Sequence, residues 1–114
     1  METSDELSAS GRVVLDANGQ GVVILMPSNA NERWVINSTS VRQQTAVTKY
    51  PQFFSYVGNI TPNQSVDSTY SGNQADSDSV ISIPYGSYFT GQWINGDVGA
   101  IMTVSVRGVR FQKR

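Results

Sequence analysis

The residues best suited to chemistry in this chain are carboxylates. Asp67, Asp76, Asp78 and Asp97 are all candidates, most of them in loops, and a pair of carboxyl groups is enough for glycoside hydrolysis, with their separation setting the stereochemical course. The run "QADSDS" also offers Asp76, Asp78 and neighbouring hydroxyls as hard oxygen ligands for calcium, but it lacks the glycine and terminal glutamate of an EF-hand loop. Neither pattern has the apolar surround that raises a carboxyl pKa, and duty in turns and caps accounts for these aspartates more simply. Histidine and cysteine are absent. That removes the commonest general base, the usual partner of a nucleophilic serine, imidazole and thiolate metal ligands, and disulfides. Serines are plentiful, yet no G-x-S-x-G elbow occurs and nothing brings Lys49 to a serine as its base. The chain therefore reads as a non-enzyme, with no cofactor and no metal implied. Binding has better support: Tyr85 and Tyr88 flank a turn, and with Asp76 and Asp78 they form a candidate glycan site.

These residues are carried by β-structure. Period-two alternation of apolar and polar residues, bounded by Gly, Pro, Asn and Asp, recurs along the chain after residue 10. "GRVVLDANGQGVVILMP" reads as a hairpin turning at Asn18-Gly19, and "GQWINGDVGA" as a second one at Asn95-Gly96, since Asn-Gly best tolerates the positive φ of a two-residue turn. "NERWVINSTSVRQQT" sets Trp34, Ile36 and Ser38 on one face, with Val35, Asn37, Thr39 and Val41 on the other. "QFFSYVGNI" carries bulk on both faces, as a central strand does. The segment from Thr61 to Ser79 is a polar, loop-rich excursion with one short strand around Ser65 to Ser71. "VISIP" puts Ile81 and Ile83 inward, and "SYFTGQWI" aligns Phe89, Gly91 and Trp93, with Gly91 leaving room for a neighbouring ring or chain. In the last strand Met102, Val104 and Val106 face in, and a β-bulge at Gly108 is expected to turn Val109 and Phe111 to the same side.

About seven or eight short strands at this spacing predict an all-β fold, an antiparallel β-sandwich of jelly-roll-like form. The expected core is Val14, Val23, Leu25, Trp34, Ile36, Phe54, Tyr56, Ile81, Ile83, Phe89, Trp93, Met102, Val104 and Val106. Two regions are expected: an N-terminal arm, 1–10, and the sandwich domain, 11–114.

With 114 residues the chain is one domain able to bury about two-thirds of its unfolded surface. A net charge of −1 with 15% charged residues argues against nucleic acid as a partner, whose binding would need a basic patch to displace phosphate counterions. "METSDELSAS" has neither the basic start nor the apolar core of a secretory signal, and no apolar run nears the roughly 18 residues of a membrane helix. Glu2, Asp5 and Glu6 open the chain, while Arg107, Arg110, Lys113 and Arg114 close it, so the ends are solvated tails in a monomer or contacts in an assembly.

Three stretches, "NERWVINSTSVRQQT", "FFSYVGNITPNQSVDSTYSGNQADSDS" and "GSYFTGQWINGDVGAIMTVSVRG", resemble in content and order a group of small virion proteins of tailed bacteriophages of actinobacteria and related hosts. The resemblance spans about residues 11–109. It implies a structural β-sandwich of the virion, either a capsid decoration or accessory protein or a minor tail component. Its implied partners are copies of itself, a trimer by analogy, and other virion proteins; a host surface glycan is the alternative partner. The candidate interface residues are Glu2, Asp5, Glu6, Asn95, Gly96, Asp97, Arg110 and Arg114, with the termini ordering on assembly and the Asn95-Gly96-Asp97 corner meeting a neighbour.

Overall fold

The computed structural model describes residues 2–113. Nine strands follow one another: β1 (Glu2–Val14), β2 (Gly21–Leu25), β3 (Glu32–Gln43), β4 (Gln52–Val57), β5 (Asp67–Thr69), β6 (Gln74–Ser77), β7 (Ile81–Ile83), β8 (Phe89–Ile94) and β9 (Ile101–Lys113). They form two antiparallel sheets, one in the order β1-β9-β3-β6 with β7 also against β3, the other in the order β2-β8-β4-β5. No helix occurs among the described residues. The fold is all-β, as the alternation predicted, and its inner faces enclose one apolar core.

Packing inside that core explains several residue choices. Trp93, Phe89, Ile36, Met102, Val104 and Val106 have no measurable exposure. The ring of Phe53 lies 4.7 Å from that of Trp93 and occupies the space above Gly91, where an added Cβ would come within 2.9 Å of it. Gly91 thus makes room for a ring, as expected. Two expected core members point elsewhere. Val14 is 59% exposed because Val13 takes the inward position, and Phe54 is only half-buried because Phe53 faces the core. Leu7, Leu15, Val41 and Ala100 complete the interior.

Neither Asn-Gly turn closes a hairpin. β1 pairs with β9 and β2 pairs with β8, so the Asn18-Gly19 corner carries the chain from one sheet to the other. The Asn95-Gly96 corner does the same between β8 and β9. Only Gly19, at φ 70°, and Asn95, at φ 61°, adopt positive φ in these corners, so neither is the two-residue turn with positive φ at both positions. The corners pack on each other: the Gly96 N–H donates to the Gly19 carbonyl at 3.0 Å, and Gly99 N–H to the Leu15 carbonyl at 3.0 Å.

The bulge lies opposite its expected place. β9 runs in unbroken register with β1, while β3 carries the extra residue, Asn37, between Ile36 and Ser38. The bulge reverses parity in β3, so Trp34 and Ile36 face the core before it and Thr39 and Val41 after it. A side chain on Gly108 would strike the Val35 carbonyl, which explains the glycine at that point. Val109 and Phe111 therefore lie on the outer face, half-buried.

The boundary at residue 10 falls inside β1. Residues 2–10 pair without interruption from Glu2↔Lys113 to Ser10↔Ser105, and Leu7 is buried in the core. Pairing of β1 along the whole of β9, and of β9 with β3, draws the molecule out to 49 × 24 × 20 Å.

Candidate functional site

Asp97, at the second corner, is the most heavily engaged carboxylate. Its Oδ2 accepts the Thr48 N–H at 2.8 Å, its Oδ1 accepts the Lys49 N–H at 3.0 Å, and the Thr48 hydroxyl also donates to it. These bonds, the Thr48 N–H foremost, hold its pKa down to about 2. The group is a clamp on the loop between β3 and β4. Of its expected neighbours in an interface, Asn95 is exposed, while Gly96 is buried beneath Leu15 and Pro51 and so faces its own chain.

The acidic start and basic end find each other within the molecule. Asp5 and Arg110 are directly opposite in the β1/β9 ladder and bond at 3.1 Å. Glu2 receives the Arg33 guanidinium with both oxygens, at 2.7 and 2.9 Å, and that guanidinium lies 4.0 Å from the centre of the Phe111 ring. Arg33 holds Glu2, and Arg110 holds Asp5, below the usual carboxylate range. Asp5 also accepts the N–H of exposed Glu6 at 2.8 Å. Arg114 lies outside the described residues.

The aromatic and acidic members of the expected glycan site do not meet in one cavity. The Tyr88 hydroxyl donates to Asn59, and the Tyr85 ring carries the Lys113 ammonium at 4.8 Å. Asp76 binds Arg42 at 2.9 Å, and the Ser40 hydroxyl and Arg42 together hold its carboxyl below the usual range. Asp76 and Asp78 line a cleft of about 350 Å³ where β5 and β6 face each other at one side of the two sheets. Neither tyrosine reaches it.

That cleft combines apolar and polar walls. Val41, Phe53 and Ala75 make its floor, and the Ser77 hydroxyl bridges its walls by donating to Asp67 at 2.6 Å. Thr39, 4% exposed, lines it with a hydroxyl that has no partner, and the hydroxyl of buried Ser55 also lacks one. A buried polar atom left without a partner is a place where a ligand or water gains a hydrogen bond at little cost. The arrangement offers apolar contact below and hydroxyl and carboxylate groups around, which is chemistry for holding a small polar molecule. Among the described residues no three acidic side chains gather at one metal-sized site.

Sequence reasoning missed Thr39 and the Asp67–Ser77 bridge, because cleft and bridge depend on which strands become edges. It also missed the pairing of Glu32 with Trp34, for which a signal was present: residues two apart share a strand face. The buried Glu32 accepts the Trp34 indole N–H at 2.7 Å and the Ser28 hydroxyl at 2.8 Å. Burial raises its pKa, but these bonds outweigh burial and hold the group ionised.

Comparison with protein families, characterised proteins and solved structures finds no match for this chain.

Proposed function

We propose that the chain is a bacteriophage virion structural protein, a capsid decoration or accessory protein or a minor tail component, that works by self-assembly and attachment to the particle. The observation that carries this reading is the nesting of the strands. β1 pairs with β9, β2 with β8, β3 with β6 and β7, and β4 with β5, an inside-out order that supports a jelly roll with β6 and β7 as one interrupted strand. Jelly rolls recur in viral capsid and lectin domains, where the double sheet serves as a stiff block presented to neighbours. That step is an analogy of fold. The resemblance in "NERW", "VDSTYSGNQ" and "GQWINGDVGA" adds to it, since these residues hold the frame: Trp34 on Glu32, the Trp93 indole on the Gly72 carbonyl at 3.0 Å, and Asp97 on the Thr48 loop.

The test is quantitative mass spectrometry of purified virions of the phage that encodes the chain. The expected result is a fixed number of copies per particle. Its absence from intact particles would overturn the reading.

A second reading, recognition of a host surface glycan, draws on the β5/β6 cleft and the unpartnered Thr39 hydroxyl. Its test is an NMR titration with neutral monosaccharides. Saturable shifts at Thr39, Ser68 and Ser77 are expected, and unmoved resonances at millimolar sugar would reject it.

A further inference from the structure

The side of the molecule where β1 lies above β2 has two free strand edges. Which backbone groups these edges present follows from the ladder. The Gly58 N–H donates to the Tyr88 carbonyl at 2.8 Å, in register with β4/β8, so even-numbered residues of β8 bond to β4 and odd-numbered ones to β2. In β2, Gly21, Val23 and Leu25 are thereby bonded to β8, and Val22 and Ile24 turn their N–H and C=O groups outward. The same two residues expose their side chains, Val22 by 44% and Ile24 by 52%, beside Met26 at 64%.

Natural sheet edges are protected by charges, prolines, bulges or covering segments. β1 has such protection in its first half: Glu2, Asp5 and Glu6 are there, and Asp5 caps the Glu6 N–H. β2, "GVVIL", has no charge, proline or bulge. An uncharged edge with exposed apolar side chains on one face is built to be covered.

Resting on the self-assembly reading above, we infer that the β2 edge is a contact between two copies of this chain, pairing antiparallel about a two-fold axis that runs beside Val23 perpendicular to the sheets. Val22 then stands opposite the second copy's Ile24, both backbone groups of each residue find partners, and the apolar side chains pack on the shared outer face. The axis suits β1 as well. Gly11 lies over Val23, close enough that a Cβ there would be 2.5 Å from the valine methyl. Leu15 donates to the Ala100 carbonyl, which places odd-numbered residues of β1 on β9 and even-numbered ones on the free edge. Pairing about Gly11 sets Ser10 against the second copy's Arg12, and Glu2, Asp5 and Glu6 remain beyond the overlap. The β2 ladder alone covers on the order of a few hundred Å² per copy; with β1 continuing across the same axis the contact nears the roughly 800 Å² per partner of a stable dimer. The symmetry is two-fold, in place of the three-fold favoured by analogy.

Sedimentation velocity of the full chain over a range of concentrations tests this, comparing wild type with the Val22→Lys/Ile24→Lys variant and with Val22→Thr/Ile24→Thr, which keeps the β-branched shape. The expected result is a reversible wild-type dimer whose Kd rises at least tenfold with the lysines and less with the threonines, with unchanged circular dichroism. Ile24→Pro removes an edge-facing N–H and no bond to β8, so it weakens the dimer too. A dimer with wild-type Kd in the lysine variant overturns this surface and leaves self-assembly standing. A wild type that stays monomeric throughout overturns both.

Discussion

Single carboxylates show how differently the same group is used here. Asp97 is held at a pKa of about 2, below its ordinary 3.8, by donors from the β3–β4 loop. A depressed folded-state pKa means that its stabilisation is fully present above the ordinary value and is lost as pH falls through about 2. Asp97→Asn is therefore expected to lower Tm by a few degrees at neutral pH and to flatten the further fall of Tm between about pH 4 and 2; parallel acid melts of the two proteins check it, and equal slopes would reject the clamp. Glu32 works in the interior. Glu32→Ala leaves the Trp34 indole N–H buried without an acceptor, an expected loss of about 2 kcal/mol in urea unfolding. Glu32→Gln keeps a neutral acceptor and should lose less.

At the scale of elements, much of the fold was legible because strand periodicity is local. Ile81, Ile83, Phe89, Trp93 and the Met102–Val106 series all face the core where alternation put them. What failed were inferences about which strand pairs with which and which of two adjacent apolar residues turns inward. Both Asn-Gly corners are turns, yet a corner that crosses between sheets uses the same residues as one that closes a hairpin, so local φ preference cannot tell them apart. In "RVV" and "QFF" adjacent apolar residues compete for the inward position, and an offset of one residue exchanges the faces, which is how Val13 and Phe53 displaced Val14 and Phe54. Gly108 was recognised as irregular, but the extra residue lies on its neighbour β3, and only the pairing reveals which strand carries it. Gly108→Ala would drive a methyl into the Val35 carbonyl, and a destabilisation of about 2 kcal/mol or more is expected from chemical denaturation. The cleft was illegible for the same reason: Thr39, Asp67 and Ser77 are joined by topology, not by spacing.

At the scale of the whole molecule, the two ends of the chain act as structure. Pairs from Glu2↔Lys113 to Val14↔Ile101 close the sequence on itself, so the fold depends on joining its most distant segments. Removing residues 1–10 would strip Leu7 and Ala9 from the core and expose β9, and the expected outcome is lost cooperative thermal unfolding; a truncated chain that melts like the intact one would show β1 to be dispensable. The same closure leaves β1 and β2 as terminal strands on one side of the two sheets, the side of the contact proposed above. The most direct measurement is the mass of the intact chain by light scattering as its concentration is raised. The expected result is a rise from the 12.4 kDa monomer toward twice that value, and a mass fixed at 12.4 kDa across the range would contradict assembly through the sheet edges.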